Sequence, residues 1–318
     1  MSRCLITGGA GFIGSHMTQR LVEAGEEVAV YDNLLTGKIS NIKDVLGSVS
    51  FIEKDIRDID ALIDAAKGCD YIIHLAAIPS VPLSISKPAL TNEVNITGTL
   101  NVLMAAREGG VRRVMYASSS AVYGDQFPRM AKKEEMPVNP LSPYATQKAA
   151  GEYYLKNFYE NYGLETISFR CFNIFGPRQD PNSQYSGVIS KFVTRMLRGL
   201  PPCVDGDGKQ TRDFTYVSNV VDAFVLASKR ASKDAAGKTF NIGCGTPVSL
   251  LTLIDNITKV TRTKVKPEFA PPRQGDIRYS YADITLAKRY LGYMPRVDLY
   301  QGMEKTIAYY REHITRAG

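Results

Sequence analysis

Hydrophobic residues in the first half of the chain fall into short unbroken runs, separated by longer segments in which they recur every three or four positions. The runs are "CLIT" (Cys4 to Thr7), "EVAVYD" (Glu27 to Asp32), "SFIEKD" (Ser50 to Asp55), "YIIHLAA" (Tyr71 to Ala77), "RVMYASS" (Arg113 to Ser119) and "TISFRCFN" (Thr166 to Asn173). Brief apolar runs bounded by turn residues predict buried strands. The periodic segments predict helices: one from Phe12 to Ala24 closed by Gly25, one through "EVNITGTLNVLMAAREGG", and one through "PYATQKAAGEYYLKNFYENYG". Alternating strands and helices require right-handed crossovers and a parallel sheet with helices on both faces. The expected fold class is therefore α/β, a doubly wound parallel sheet of Rossmann type.

After Asn173 the alternation loosens into a helix "VISKFVTRMLRG", a turn-rich "DGDGKQTRDF", a helix "NVVDAFVLASKR", a strand "TFNIG" and two C-terminal helical stretches, with "FAPPRQGD" as an ordered loop. This predicts a sheet domain over residues 1–172, with segments near 214–243 returning to it. Residues 173–213 and 244–318 are expected to form a smaller α/β lobe. With 318 residues, such a chain buries about 75% of its unfolded surface. No apolar run is long enough to cross a bilayer. The start "MSRCLIT" leaves no room for a signal peptide, so a cytoplasmic protein without a membrane partner is expected. The five cysteines (Cys4, Cys69, Cys171, Cys203, Cys244) lack C-x-x-C spacing, which predicts buried reduced thiols and no metal. The net charge of +7 is spread along the chain with no basic run longer than two residues, favouring a small anionic ligand over nucleic acid.

Chemistry enters first in "TGGAGFIGSH". Gly9, Gly11 and Gly14 spell G-x-G-x-x-G between the first strand and the first helix, and Gly8 offers a second register. Such a turn lets backbone approach a pyrophosphate, which rests on the amides and positive dipole end of the helix. Asp32 closes the next strand, where a carboxylate accepts both ribose hydroxyls and repels a 2′-phosphate; no Arg follows in "DNLLTG". The expected cofactor is NAD and not NADP.

The second constellation lies in "LSPYATQK". Ser142 reads as an N-cap and Pro143 as the first helical residue, which places Tyr144 and Lys148 one turn apart on one helix face. For a tyrosine to act as a base near neutrality its pKa must fall from about 10 to about 7, worth roughly 4 kcal/mol. Lys148 and the helix N-terminus both favour the phenolate, and so would the positive nicotinamide. A lone Y-x-x-x-K among 18 tyrosines is ordinarily a solvated face; its place after the fifth strand, beside a dinucleotide turn, gives it meaning. "ASSSAVYG" adds hydroxyls at a strand end, which either make local backbone bonds or relay a proton.

With these residues the chain resembles the extended short-chain dehydrogenase/reductase family, specifically the NAD-dependent nucleotide-sugar 4-epimerases. The resemblance runs through "TGGAGFIGSH", "YDNLLTG", "DIRD", "HLAAIPSVPLSISKP", "SSSAVYGD", "SPYATQKAAGE", "RCFNIFGPRQDPNSQYSGVI", "GDGKQTRDFTYV" and "RQGDIRYSYAD". It implies a cycle in which Tyr144 takes the proton of a sugar 4-hydroxyl, with Ser119 as relay and Lys148 in support, while hydride passes to NAD. The 4-keto sugar then rotates, and hydride returns to its other face. It implies cofactor contacts at Gly8, Gly11, Phe12, Ile13 and Gly14, at Asp32 and Asn33, and at Asp55 and Ile56 near the adenine, Asp55 otherwise reading as a simple strand-end acid. Further cofactor contacts are implied at Leu75, Ala76, Ala77 and Phe172, besides Tyr144 and Lys148. For the substrate, a UDP-sugar, it implies Ser80, Ser119, Ser120, Asn173, Val188, Arg212, Arg273, Asp276 and Ser280; the arginines otherwise read as surface salt bridges.

Family dehydratases carry an Asp-Glu pair just after the position of Ser119. Ser120 and Ala121 stand here instead, which favours epimerisation. Ser280 stands where many glucose/galactose enzymes carry tyrosine, leaving room for an acetamido group. Leu83 in "VPLS" replaces a frequent Arg and disfavours a uronate. The resemblance also implies a homodimer paired through helices around Asn95 to Arg107 and Ala145 to Tyr159, as a four-helix bundle. Two alternatives stay open: a UDP-uronate 4-epimerase, and a catalytically silent NAD-binding regulatory protein.

Overall fold

The computed structural model describes residues 1–126, 129–180, 187–229, 233–272 and 277–314. Six strands form at the apolar runs: β1 (Arg3–Thr7), β2 (Glu27–Tyr31), β3 (Val49–Ile52), β4 (Tyr71–His74), β5 (Arg113–Ser119) and β6 (Glu165–Cys171). A seventh, Lys238–Ile242, completes a sheet ordered Lys238–Ile242, β6, β5, β4, β1, β2, β3, every pair parallel. Strand order reverses between β1 and β4, so the loops leaving these strands diverge and open a crevice at their carboxyl ends.

Six helices accompany the first half: α1 (Phe12–Glu23), α2 (Ile59–Ala66), α3 (Val81–Ser86), α4 (Pro88–Asn92), α5 (Gly98–Glu108) and α6 (Pro143–Tyr162). Side chains alternate across the sheet. Cys4, Ile6, Val30, Ile73, Met115 and Phe169 meet Met17 and Leu21 of α1 and Phe224 of the helix Val217–Lys229. Leu5, Ala29, Ile72, Val114 and Tyr116 meet Leu62 of α2, Leu103 of α5 and Leu155 of α6. Burial on both faces explains why the strands read as unbroken apolar runs. Met17 and Leu21 are fully enclosed, each worth about 2 kcal/mol of transfer free energy. A third core, with Phe175, Phe192, Leu253, Met303 and Tyr310, is built by the helices Val188–Leu197, Leu250–Thr261 and Leu299–Ile314. Among the described residues, no helix is long and apolar enough to cross a membrane.

The structure differs from the sequence pattern in three places. β3 stops at Ile52 because its partner β2 offers Tyr31 as the last paired residue, which frees residues 53–55 to bend toward the crevice. The helix expected through residues 93–110 is interrupted by a π turn over Glu93–Thr97. Within that turn Asn95 accepts from the backbone N–H of Ile78 (2.8 Å) and donates to the Ile78 carbonyl (3.2 Å) and to Gln147 (2.8 Å). A widened turn lets one side chain satisfy the loop after β4 and the helix α6 together. The lobe boundary drawn at residue 244 also shifts. Ala282, Ile284, Ala287, Leu291 and Tyr293 lie in the core of the sheet's first face, since the helix Thr285–Leu291 packs against the edge strand Lys238–Ile242.

Candidate active site

The crevice is a cavity of about 530 Å³ that runs from the glycine turn to the short strands of the lobe. At its first end Gly8 has φ of 73°, and a Cβ there would lie 2.7 Å from the Ala76 nitrogen. A Cβ on Gly14 would lie 2.0 Å from the Gly8 carbonyl oxygen. The register that faces the cavity is Gly8, Gly11 and Gly14, with Phe12 and Ile13 beside them, whereas Gly9 turns away against Val30. α1 opens at Gly11 with no side-chain cap and no acidic residue in its first turn. Its first N–H groups are thus donors to whatever anion enters, with the helix dipole behind them.

Asp32 lies just beyond β2 and is 7% exposed. One carboxylate oxygen accepts the Ala10 N–H and the other the Leu34 N–H, both at 2.9 Å, so Asp32 braces the glycine turn and keeps a lone pair on each oxygen for a ribose. Burial raises its pKa, opposed by those two bonds. The Asn33 amide donates to Asp55 at 2.8 Å. Arg57 clasps Asp55 through two bonds of 2.9 Å and holds its carboxyl down to about 2. Ile56, Leu75, Ala76 and Ala77 complete this wall.

Ser142 caps α6 by accepting the Ala145 N–H at 3.2 Å, with Pro143 at the helix start, as the sequence predicts. The Tyr144 N–H donates to the Ser84 hydroxyl of α3 at 3.0 Å. One turn on, the Lys148 ammonium donates to the Ala117 carbonyl at 2.7 Å and lies 4.7 Å from the centre of the Tyr116 ring. Ser119 ends β5, where its hydroxyl accepts the Ala121 N–H at 3.2 Å and acts on the Tyr144 phenol from close by to lower its pKa. Ser119, Ser120, Tyr144 and Lys148 all line the cavity.

The electrostatics of this group correct the sequence expectation. Burial pushes the Tyr144 phenol up to about 12, with the Ser119 hydrogen bond opposing, and pushes the Lys148 ammonium down to about 8. Desolvation dominates for both groups because each is enclosed by protein, which disfavours the charged form of either. The protein alone does not hold Tyr144 as a base.

At the far end, the strand Thr211–Arg212 pairs antiparallel with Val248–Ser249 and parallel with Tyr279–Ser280. Arg212 donates to the Ile277 carbonyl at 2.6 Å; Ser280 stands opposite it in register and is 7% exposed. Asn173 (φ 26°) donates to the Asp213 carbonyl at 3.3 Å. The fully buried Asp213 carboxylate accepts N–H groups from Cys244, Gly245 and Ala282 at 2.8, 2.9 and 3.1 Å, and ties these loops together. Arg212, Asn173 and Ser280 reach the cavity.

Three expected residues do not line it. Ser80 is spent as the N-cap of α3, where it accepts the Leu83 N–H at 3.0 Å. Phe172 is enclosed against Tyr123, and Val188 packs into the lobe core. Arg273 and Asp276 lie outside the described residues. Strand alternation explains one miss: with Phe172 turned inward, its neighbour Cys171 lines the cavity instead. Its thiol is pushed up to about 12 by burial. Thr36, Gln179 and Gly187 also line it, with no sequence signal beyond their neighbourhood to the motifs.

A doubly wound sheet with an uncapped glycine turn at its switch point, beside a Ser-Tyr-Lys group on the adjoining strand and helix, defines a nicotinamide-dependent scaffold of the extended short-chain dehydrogenase/reductase class. The chain belongs to the NAD-dependent epimerase/dehydratase family, whose model matches residues 4–243. It is 40% identical over 314 residues to a UDP-glucose 4-epimerase of Mycolicibacterium smegmatis, covering 97% of this chain and 98% of that one. A crystal structure of a Thermotoga maritima UDP-glucose 4-epimerase with UDP-glucose superposes with a TM-score of 0.93 at 36% identity, covering 98% of this chain and 99% of that one. The UDP-N-acetylglucosamine 4-epimerase of Methanobrevibacter ruminantium, solved with UDP-N-acetylmuramic acid, gives a TM-score of 0.93 at 37% identity with the same coverage. The cofactor is NAD, and the cavity fits it: the cradle at Gly8 and Gly14 has no room for a Cβ, the α1 N-terminus is uncapped, and the buried Asp32 carboxylate lines the same wall.

Proposed function

We propose that this protein inverts carbon 4 of a UDP-hexose, accepting the N-acetylglucosamine/N-acetylgalactosamine pair at least as well as the glucose/galactose pair. The observation that carries this reading is the single cavity that joins the dinucleotide turn, the Ser119–Tyr144–Lys148 group and the lobe residues Arg212 and Ser280. NAD held on the Gly8–Gly14 turn and beside Asp32 would supply reversible hydride acceptance for carbon 4 and a positive ring close to Tyr144. Tyr144, linked to Ser119, accepts the proton of the 4-hydroxyl and returns it after the sugar has turned over. Lys148, anchored on Ala117, keeps two donors for the ribose and the phenolate. Arg212 suits a diphosphate oxygen and Asn173 the nucleotide. Ser120 and Ala121 place no acid or base beside the keto sugar, which supports return of the hydride over loss of water. The small side chains Ala77, Ser120, Ala121 and Ser280 leave the sugar free to turn.

The reading includes a cytoplasmic homodimer. Five free cysteines suit a reducing compartment, and Tyr153 and Tyr162 of α6, 59% and 55% exposed, supply apolar area for pairing through α5 and α6. The deciding experiment is an NMR or chromatographic assay with a panel of UDP-sugars and no added NAD. Interconversion of the acetylated pair with kcat/KM at least equal to that of the plain pair is expected. Conversion of UDP-uronates alone, or of nothing despite bound NAD, would reject the reading.

A further inference from the structure

Beneath the catalytic strand lies a buried ion pair that the proposed chemistry does not use. Glu152 and Arg170 are 7% and 5% exposed. The Arg170 Nε donates to both Glu152 oxygens at 3.0 and 3.1 Å and its Nη2 to one of them at 2.7 Å. Arg170 is itself fixed, with its Nη1 on the Glu134 carbonyl at 3.2 Å and its guanidinium 4.6 Å from the centre of the Tyr123 ring. The remaining partner of Glu152 is the Ser118 hydroxyl, which donates to it. Ser118 stands in β5 between Ala117, whose carbonyl holds the Lys148 ammonium, and Ser119, which lines the cavity with Tyr144. Glu152 also lies one helical turn beyond Lys148, and Lys148 one turn beyond Tyr144, on the same helix.

We propose that the Glu152–Arg170 pair is a positioning element of the active site: through Ser118 it fixes the end of β5, and through its negative member it keeps the Lys148 ammonium charged and aimed. As a device for stability alone the pair is a poor choice, because desolvating two charges cancels most of their attraction and an apolar pair of equal volume serves as well. Its direction of bonding is what apolar side chains cannot supply.

The groups around Lys148 are the Tyr116 ring of β5, the neutral His74 of β4, the Cys171 thiol of β6, Tyr144 and Glu152 of its own helix, and, behind Glu152, the Arg170 guanidinium of β6 that partly offsets its charge. Burial pushes Lys148 down to about 8, and Glu152 raises it, as a thiolate at Cys171 would. That thiol is itself pushed up to about 12, which leaves the carboxylate of the Glu152–Arg170 ion pair as the facing acidic partner.

The inference rests on the epimerase reading for its kinetic arm only. Three variants test it: Glu152→Gln, the volume-matched Glu152→Leu/Arg170→Met, and Ser118→Ala, which removes a single bond and leaves the ion pair. The first two are expected to lower kcat about 10–100-fold, with KM within about twofold and NAD still bound, and Glu152→Gln alone, which leaves Arg170 unbalanced, to move the alkaline limb of kcat about one pH unit lower. Ser118→Ala is expected to lower kcat about three- to tenfold with the limb in place. In the isotopically labelled protein without substrate, the NMR titration midpoint of the Lys148 side chain should fall by about one pH unit in Glu152→Gln, which leaves the Arg170 charge unbalanced, and by clearly less in the double variant, which removes both charges. Unchanged kcat in all three, or a Lys148 midpoint that does not move, overturns the proposal. A wild type that converts no UDP-sugar overturns the epimerase reading instead, and leaves the titration to decide this one.

Discussion

The two ends of the cavity are built by different means. The end at the glycine turn is made of backbone: a left-handed Gly8, a Gly14 against the Gly8 carbonyl, and an open α1 N-terminus, all set by the parallel sheet and braced by Asp32. At the sugar-nucleotide end, two-residue strands carry side chains, and one buried carboxylate, Asp213, holds the loops together. The first construction admits one ligand geometry and tolerates no added atom. The second can change its lining residue by residue while the sheet stays as it is. Between them stands the Ser-Tyr-Lys group, which lines the same cavity and which the proposed chemistry makes the point where loss is expected to cost most.

Tyr144→Phe removes one oxygen from that junction. Turnover should fall by about 10³-fold or more, while bound NAD, read from absorbance, and the unfolding midpoint stay close to those of the wild type. Equal loss of NAD or of the folded state would assign Tyr144 a structural role. Gly14→Ala breaks the dinucleotide end, since the new methyl would lie 2.0 Å from a carbonyl oxygen that cannot yield. NAD affinity should weaken about a hundredfold, near 3 kcal/mol by calorimetric titration; undiminished affinity would mean the turn relaxes freely. Ser280→Tyr acts on the other end. Its ring fills the sugar end of the cavity, and kcat/KM for the acetylated pair should drop about 10–100-fold relative to the plain pair, with stability unchanged. An unaltered ratio would remove Ser280 as the determinant of room for an acetamido group.

The same contrast decides what the sequence makes legible. The Gly8–Gly14 turn, Asp32 and the Ser142–Pro143–Tyr144–Lys148 start of α6 are written in residue types that few other conformations use: glycines where a Cβ collides, an N-cap, and a proline at a helix start. Strand alternation in a sheet buried on both faces carries no such mark, and only the structure shows that Cys171 lines the cavity at the end of β6 while the Phe172 side chain is enclosed. Ser80 has the residue type of a sugar contact and of an N-cap, and only the six-residue α3 behind it shows that it is the cap. The support for Lys148 lay equally hidden. Glu152 reads as one more acid on a helix until β6 brings Arg170 beneath it.

The smallest expected effect concerns the protein without ligand, and it probes the cost of holding the junction dry. Lys148 is pushed down from its ordinary 10.5 to about 8 by burial. Between those two values the unfolded chain binds a proton that the folded chain lacks, so raising the pH through this window favours folding. The slope is at most about 1.4 kcal/mol per pH unit, which predicts a gain of about 1 kcal/mol between pH 8 and 9. Cys4, Cys171 and Cys244, pushed up to about 12 by burial, act in the opposite sense, because the unfolded thiols lose protons that the folded ones keep. Total stability therefore hides the contribution, and the quantity to measure is the difference between wild type and Lys148→Met in urea unfolding across pH 7–10. That difference should move in favour of the wild type above pH 8. A flat difference would mean that the ammonium is not desolvated, and that the catalytic junction is as wet as the lobe end of the cavity.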